Sequence, residues 1–255
     1  MKPVHLTIFL ILTMIVIACS TPAGSPTSLP NQALFTETAL PESTNTPPPT
    51  RTPIPPTPTV TAPDILIDSF SGIEVIYYDS FNTDLDWGIG CACIVINGEL
   101  VVNGKDWNGL SWERQELSEG QGIIIDFTYS EPVQLELYLD HDEFATDSYQ
   151  RFGVYIESTF AEANLWQGST LISGRLIGNF TPQPGVQYSL AMMVGQDGEF
   201  MAILWDTSDP SKIISTREQK GSSWFGHTWG FAIGANQGNN ILFDNLRLVQ
   251  FEEIK

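Results

Sequence analysis

The chain has 255 residues and a formal net charge of −19, with 11 Lys and Arg against 30 Asp and Glu. Its few basic residues never cluster, and a surface of that sign repels phosphate backbones and anionic headgroups, which argues against nucleic acid as a partner. The composition is uneven: all seven Trp follow residue 86, and only four of the 17 Pro follow Pro63. A core can therefore form only in the last stretch of about 190 residues, the size of one β-sandwich.

The chain opens on Met1-Lys2-Pro3-Val4-His5, and Leu6 through Ile17 is apolar except for Thr7 and Thr13. That is the length of a secretory signal and too short for a membrane-spanning helix. Val16-Ile17-Ala18-Cys19-Ser20 follows and resembles the lipobox of bacterial lipoproteins: an aliphatic residue, a tolerant position, a small residue, then Cys. The resemblance implies diacylglyceryl transfer to the Cys19 thiol, cleavage after Ala18 and acylation of the new terminus. It also implies an extracytoplasmic protein held to a membrane of the cell envelope by its lipid anchor. Residues 1–18 are then the signal peptide. Residues 19–63 hold the lipidated Cys and a Pro/Ser/Thr-rich stretch, including Pro47-Pro48-Pro49-Thr50-Arg51-Thr52-Pro53-Ile54-Pro55-Pro56. Repeated Pro removes amide donors and fixes φ, so the tract reads as a disordered, extended tether. Fully extended it reaches on the order of 100 Å, enough to clear a domain from a crowded envelope.

Over residues 64–255 the pattern changes to a period of two. Gln134-Leu135-Glu136-Leu137-Tyr138-Leu139-Asp140 alternates strictly, as do Phe152, Val154 and Ile156 against Arg151, Gly153 and Tyr155. Similar runs are Ile123–Tyr129, Thr170–Ile177, Tyr188–Val194, Phe200–Asp206, Trp229–Ala235 and Leu242–Val249. Asn97-Gly98 and Asp197-Gly198 are the strongest hairpin turns. Many short strands, broken by Gly, Asn, Asp and Pro with no convincing amphipathic helix, predict an all-β, antiparallel two-sheet sandwich. Apart from Cys19, the only cysteines are Cys91 and Cys93. Their Cα atoms would lie about 6.5–7 Å apart on an extended strand, at the limit of disulfide geometry, which favours two free thiols.

Several of these residues, in this order, resemble the concanavalin A-like lectin/glucanase jelly rolls, including laminin-G-like and family-16-like domains. They are Tyr78-Asp79-Ser80-Phe81 with Trp87 shortly after, Asn97-Gly98-Glu99-Leu100, Val186-Gln187-Tyr188-Ser189-Leu190, Gly195-Gln196-Asp197-Gly198-Glu199-Phe200 and Ile241-Leu242-Phe243-Asp244-Asn245-Leu246. The likeness covers roughly residues 75–251. It implies two curved antiparallel sheets with first and last strands adjacent, often with a carbohydrate on the concave face.

Catalytic members of that family use paired Glu on one strand. The closest run here is Glu136-Leu137-Tyr138-Leu139-Asp140-His141-Asp142-Glu143, whose spacing and acid order do not match, so no catalytic residue is assigned. Asp140 and Asp142 belong to the densest oxygen-ligand cluster, and they are one candidate site for a structural calcium. The resemblance implies a second, at Asp79 and Asp244 on the neighbouring first and last strands. For a sugar, the useful groups are flat aromatics and planar polar side chains. The alternation sends Tyr138, Arg151, Tyr155, Asn164 and Trp166 outward, so strands lying side by side would gather them into one ligand-binding patch. Trp205, Trp224 and Trp229 read as core or loop packing, and Trp107 and Trp112 as either. The leading expectation is a monomeric lipoprotein with a non-catalytic carbohydrate- or envelope-binding module. The alternatives are a glycoside-active hydrolase on the same fold and a protein-binding adhesion or scaffold domain.

Overall fold

The computed structural model describes residues 62–82, 87–89, 93–105, 107–142, 146–157, 160–174, 177–178 and 181–255. The signal segment, Cys19 and the tether up to residue 61 lie outside them, as does Glu143. Helix is confined, among the described residues, to one turn, α1 (Asp64–Ile67), and a 3-10 turn at Ser222–Trp224. The first strands are β1 (Phe70–Ser71), β2 (Glu74–Asp79), β3 (Trp87–Ile89), β4 (Cys93–Ile96), β5 (Glu99–Val102) and β6 (Asn108–Trp112). Next come β7 (Gln121–Thr128), β8 (Gln134–His141), β9 (Gln150–Glu157), β10 (Phe160–Gln167), β11 (Thr170–Ser173) and β12 (Ile177–Gly178). The last are β13 (Gln187–Val194), β14 (Glu199–Asp206), β15 (Ile213–Gln219), β16 (Gly230–Gln237), β17 (Ile241–Gln250) and β18 (Glu253–Ile254).

Every described pairing is antiparallel. One seven-stranded sheet runs β11-β10-β9-β8-β16-β6-β3. A nine-stranded sheet runs β12-β15-β14-β13-β7-β17-β5-β4, with β2 also on β17. First and last strands are neighbours, as expected: β1 pairs β18, and β2 pairs β17. The two turn signals adopt the conformation their residues favour. Asn97 and Gly98 have φ of 55° and 82°, and Asp197 and Gly198 have 52° and 71°. Positive φ at both central residues matches the twist of a two-residue hairpin.

The main core lies between the sheets, where Leu135, Leu137, Leu139, Phe152, Val154 and Ile156 meet Ile123, Ile125, Phe127, Leu190, Met192 and Leu204. A second, smaller core covers the outer face of the nine-stranded sheet. Leu66 of α1, Phe70, Phe251 and Ile254 pack there on Ile124, Ala191, Met193, Ile203, Trp205 and Val249. This explains a difference in pattern. β7 and β13 are buried on both faces and read as continuous apolar runs, whereas β8 and β9 alternate because their outward face carries the cleft described below.

Two expectations are corrected. The predicted strand Thr170–Ile177 is two strands: β11 stops at Ser173, and β12 pairs with β15 in the other sheet. Gly174 directly follows the last paired residue of β11. Its N–H donates to Ala163 O at 2.7 Å, and an added Cβ would stand 3.1 Å from that of Ala163. Cys93 is disulfide-bonded rather than free, its partner lying outside the described residues. The expectation rests on the Cys91–Cys93 spacing in an ideal strand, and that spacing does not by itself decide whether Cys93 is bonded.

Candidate functional site

The outward face of the seven-stranded sheet carries a cleft of about 600 Å³. Its lining includes all five residues that the alternation sends outward: Tyr138 from β8, Arg151 and Tyr155 from β9, and Asn164 and Trp166 from β10. Cross-strand register explains how they meet. Trp166 lies opposite Arg151, Asn164 opposite Gly153, and Gly153 opposite Tyr138. The floor is low because small residues hold the outward positions of β16. Gly230, Ala232 and Gly234 stand opposite Asp140, Tyr138 and Glu136.

Arg151 organises the polar part. Its guanidinium donates to Glu136 Oε2 at 3.0 Å and lies over the Tyr138 ring, 3.7 Å from the centroid. Glu136 is only 5% exposed. Burial pushes its carboxyl above the ordinary range, and Arg151 and the Asn164 amide pull the other way. Burial likewise raises the Tyr138 phenol to about 12. Several atoms here have no hydrogen-bond partner, namely Glu136 Oε1, Arg151 Nε and Asn164 Oδ1. Buried polar atoms in native proteins are seldom left so, and a polar ligand is one way to satisfy them.

Sequence reasoning did not place Glu136, Trp107, Glu162, Leu171 and Gly234 in the patch, though they also line the cleft. Glu162 was within reach of the same alternation, two residues before Asn164. Trp107 was not: it sits just before β6 with φ of 55°, 45% exposed, its ring 5.9 Å from that of Tyr155. No periodicity reports a side chain held in the left-handed region. Four other tryptophans are structural: Trp112, Trp205, Trp224 and Trp229 are all buried.

The four candidate calcium ligands fall in two separate places. Asp140 and Asp142, with Glu116, His141, Thr228 and Gly230, line a second cavity of about 350 Å³ further along β8. Burial raises the Asp140 carboxyl to about 6. Asp79 lies opposite Leu246, and its Oδ1 accepts the Phe81 N–H at 2.7 Å. Asp244 lies opposite Asp126 and accepts from Asn245 N at 2.6 Å, so each carboxylate already serves backbone or neighbour. Among the described residues, no three His, Cys, Asp or Glu come together as a metal site.

No protein-family model matches the sequence, and no curated protein matches it. Solved structures do. The catalytic domain of an endo-1,3-β-glucanase (laminarinase) from Thermotoga petrophila superposes with a TM-score of 0.53 at 10% identity, covering 72% of this chain and 100% of that one. A Bacillus subtilis protein of unknown function with a galectin-like fold gives 0.52 at 11% identity, covering 70% and 97%. At such identities the likeness speaks to architecture alone: the domain is a concanavalin A-like antiparallel jelly-roll sandwich.

Proposed function

We propose that this chain is a surface-displayed lipoprotein whose β-sandwich binds carbohydrate without transforming it. The observation that carries the reading is the cleft itself. Trp107, Tyr138, Tyr155 and Trp166 surround planar hydrogen-bonding groups from Glu136, Arg151 and Asn164. Aromatic rings pack on the apolar faces of sugar rings, and planar amide, carboxylate and guanidinium groups meet sugar hydroxyls. A fold shared with a glucanase agrees with this reading and does not carry it. The test is a glycan array probed with the full-length protein. Binding to a defined glycan class is expected, and silence across the array would reject the proposal.

A second reading, a glycoside hydrolase, is favoured by one observation. Glu136 and Glu162 lie in one row with β9 between them. Two strand spacings separate them by about 9–10 Å, near the upper end for an inverting pair. Against it, Glu136 is buried and tied to Arg151, which hinders its reaching a glycosidic oxygen. New reducing ends on incubation with the bound glycan would favour the enzyme.

The membrane attachment is proposed on the Cys19 lipobox. Cys19→Ser is expected to abolish incorporation of labelled palmitate, and unchanged labelling would reject the anchor.

A further inference from the structure

The charge around the cleft is lopsided in a way that bears on the ligand. Glu136, Tyr155 and Glu162 form a straight row across β8, β9 and β10, paired residue to residue. The Tyr155 hydroxyl donates to Glu157 Oε2 at 3.1 Å. Burial, the hydrogen bond to Glu157 and the charges of Glu157, Glu162 and Glu136 together push its phenol up to about 12. Among the described residues, Arg151 is the one cation lining the cleft, and it is committed to Glu136 at 3.0 Å and to the Tyr138 ring. Among the described residues, two carboxylates and one guanidinium thus line the walls. The whole chain adds a background of −19.

A second feature lies beneath the same space. Glu136 is more than nine-tenths buried, and its Oε1 has no hydrogen-bond partner. That oxygen lies over Gly153, 2.8 Å from where a Cβ would stand. Any other residue at 153 would crowd it. Arg151 balances the Glu136 charge, so the uncompensated carboxylate lining the cleft is that of Glu162, directly across from Tyr155. Tyr155 also presents an aromatic face, with Trp107 and Phe160 each 5.9 Å away. Carboxylates flanking an aromatic ring complement a cation, through charge and through the ring quadrupole.

From this geometry we infer that the cleft selects glycans bearing a free amino group, held as the ammonium between Glu162 and the Tyr155 ring above Glu136. This rests on the carbohydrate-binding reading. Uronates and other acidic glycans are repelled. N-acetylated sugars fit the aromatic walls but forgo the charge.

The test uses isothermal titration calorimetry on the full-length protein at low salt and about pH 6, where the sugar amine is protonated. The probes are the glucosamine disaccharide, its N,N′-diacetyl form, cellobiose and a galacturonate disaccharide. The amine is expected to bind at least about tenfold tighter than its acetylated form, and the preference should shrink as salt is added. Glu162→Gln should bring the two to near parity. Glu74→Gln removes the same charge from an exposed position on the other sheet and should leave the preference intact. Equal affinity for amine and N-acetyl forms would overturn the inference while leaving carbohydrate binding in place. A preference that survives Glu162→Gln, or falls equally with Glu74→Gln, would overturn it too. Binding of none of the four, where the array also stays silent, would bring down the carbohydrate reading and the inference together.

Discussion

Replacing Trp166 or Tyr155 with Ala is expected to weaken glycan binding by at least about tenfold, because an aromatic platform supplies much of such a site's contact. Both side chains stand outside the main core, so the loss leaves no interior cavity. The melting temperature should move by less than about 3 °C, the equivalent of under about 1 kcal/mol in a domain this size. Phe152 is next to Arg151 in sequence but faces the other way and is fully buried. Phe152→Ala should cost about 3–5 kcal/mol, shifting melting by on the order of 10 °C, with affinity kept by whatever remains folded. Melting and titration on the same three proteins separate the two effects. A Trp166→Ala protein that unfolds would move that ring into the core and remove the cleft as a binding site.

Arg151→Met should destabilise the domain by about 3–5 kcal/mol at neutral pH, because removing one partner of a buried ion pair strands the other charge. The Arg151 and Glu136 side chains are only 16% and 6% exposed, so little water replaces the lost partner. The deficit should depend on pH with a definite sign. Burial already raises the folded-state pKa of Glu136, and that of Asp140 to about 6, against the opposing pull of Arg151. A carboxyl raised on folding favours the folded state below its unfolded value of about 4, and that contribution is lost as pH rises through the folded value. Without Arg151 both carboxyls rise further. The variant should thus be worst above about pH 7 and recover much of its stability near pH 4.5, where protonation removes the stranded charges. Denaturant unfolding at the two pH values measures this. An equal deficit at both would mean that Arg151 contributes packing over Tyr138 rather than charge.

Much of the cleft was legible because side chains alternate along a strand. Leu135, Leu137 and Leu139 had to be buried together, which sent Glu136, Tyr138 and Asp140 to the opposite face. The same rule placed Arg151 and Tyr155 on the outward side of β9, and Asn164 and Trp166 on that of β10. It worked least well where the backbone departs from an ideal strand. Cys93 is disulfide-bonded where ideal strand spacing argued for a free thiol, and the run from Thr170 to Ile177 divides between two sheets after Ser173. Asp79 and Asp244 sit on neighbouring strands as expected. The register sets Asp79 opposite Leu246, and a bulge follows Asp244; among the described residues, no group of three ligands comes together there.

By itself, the order of residues determined the all-β class, the positive-φ turns at Asn97-Gly98 and Asp197-Gly198, and the facing of each alternating strand. These are local properties, set by φ preferences and by the need to bury every second side chain. Only the tertiary structure decided which strands are neighbours and in what register. It set β16, with its Gly and Ala row, beside β8 to lower the floor, and brought Trp107 across to Tyr155. It also aligned Glu136, Tyr155 and Glu162 in one row. Strand partners are selected by packing between residues far apart in the chain. No local pattern records that choice, because a two-residue shift in register keeps every side chain on the same face while changing all of its neighbours.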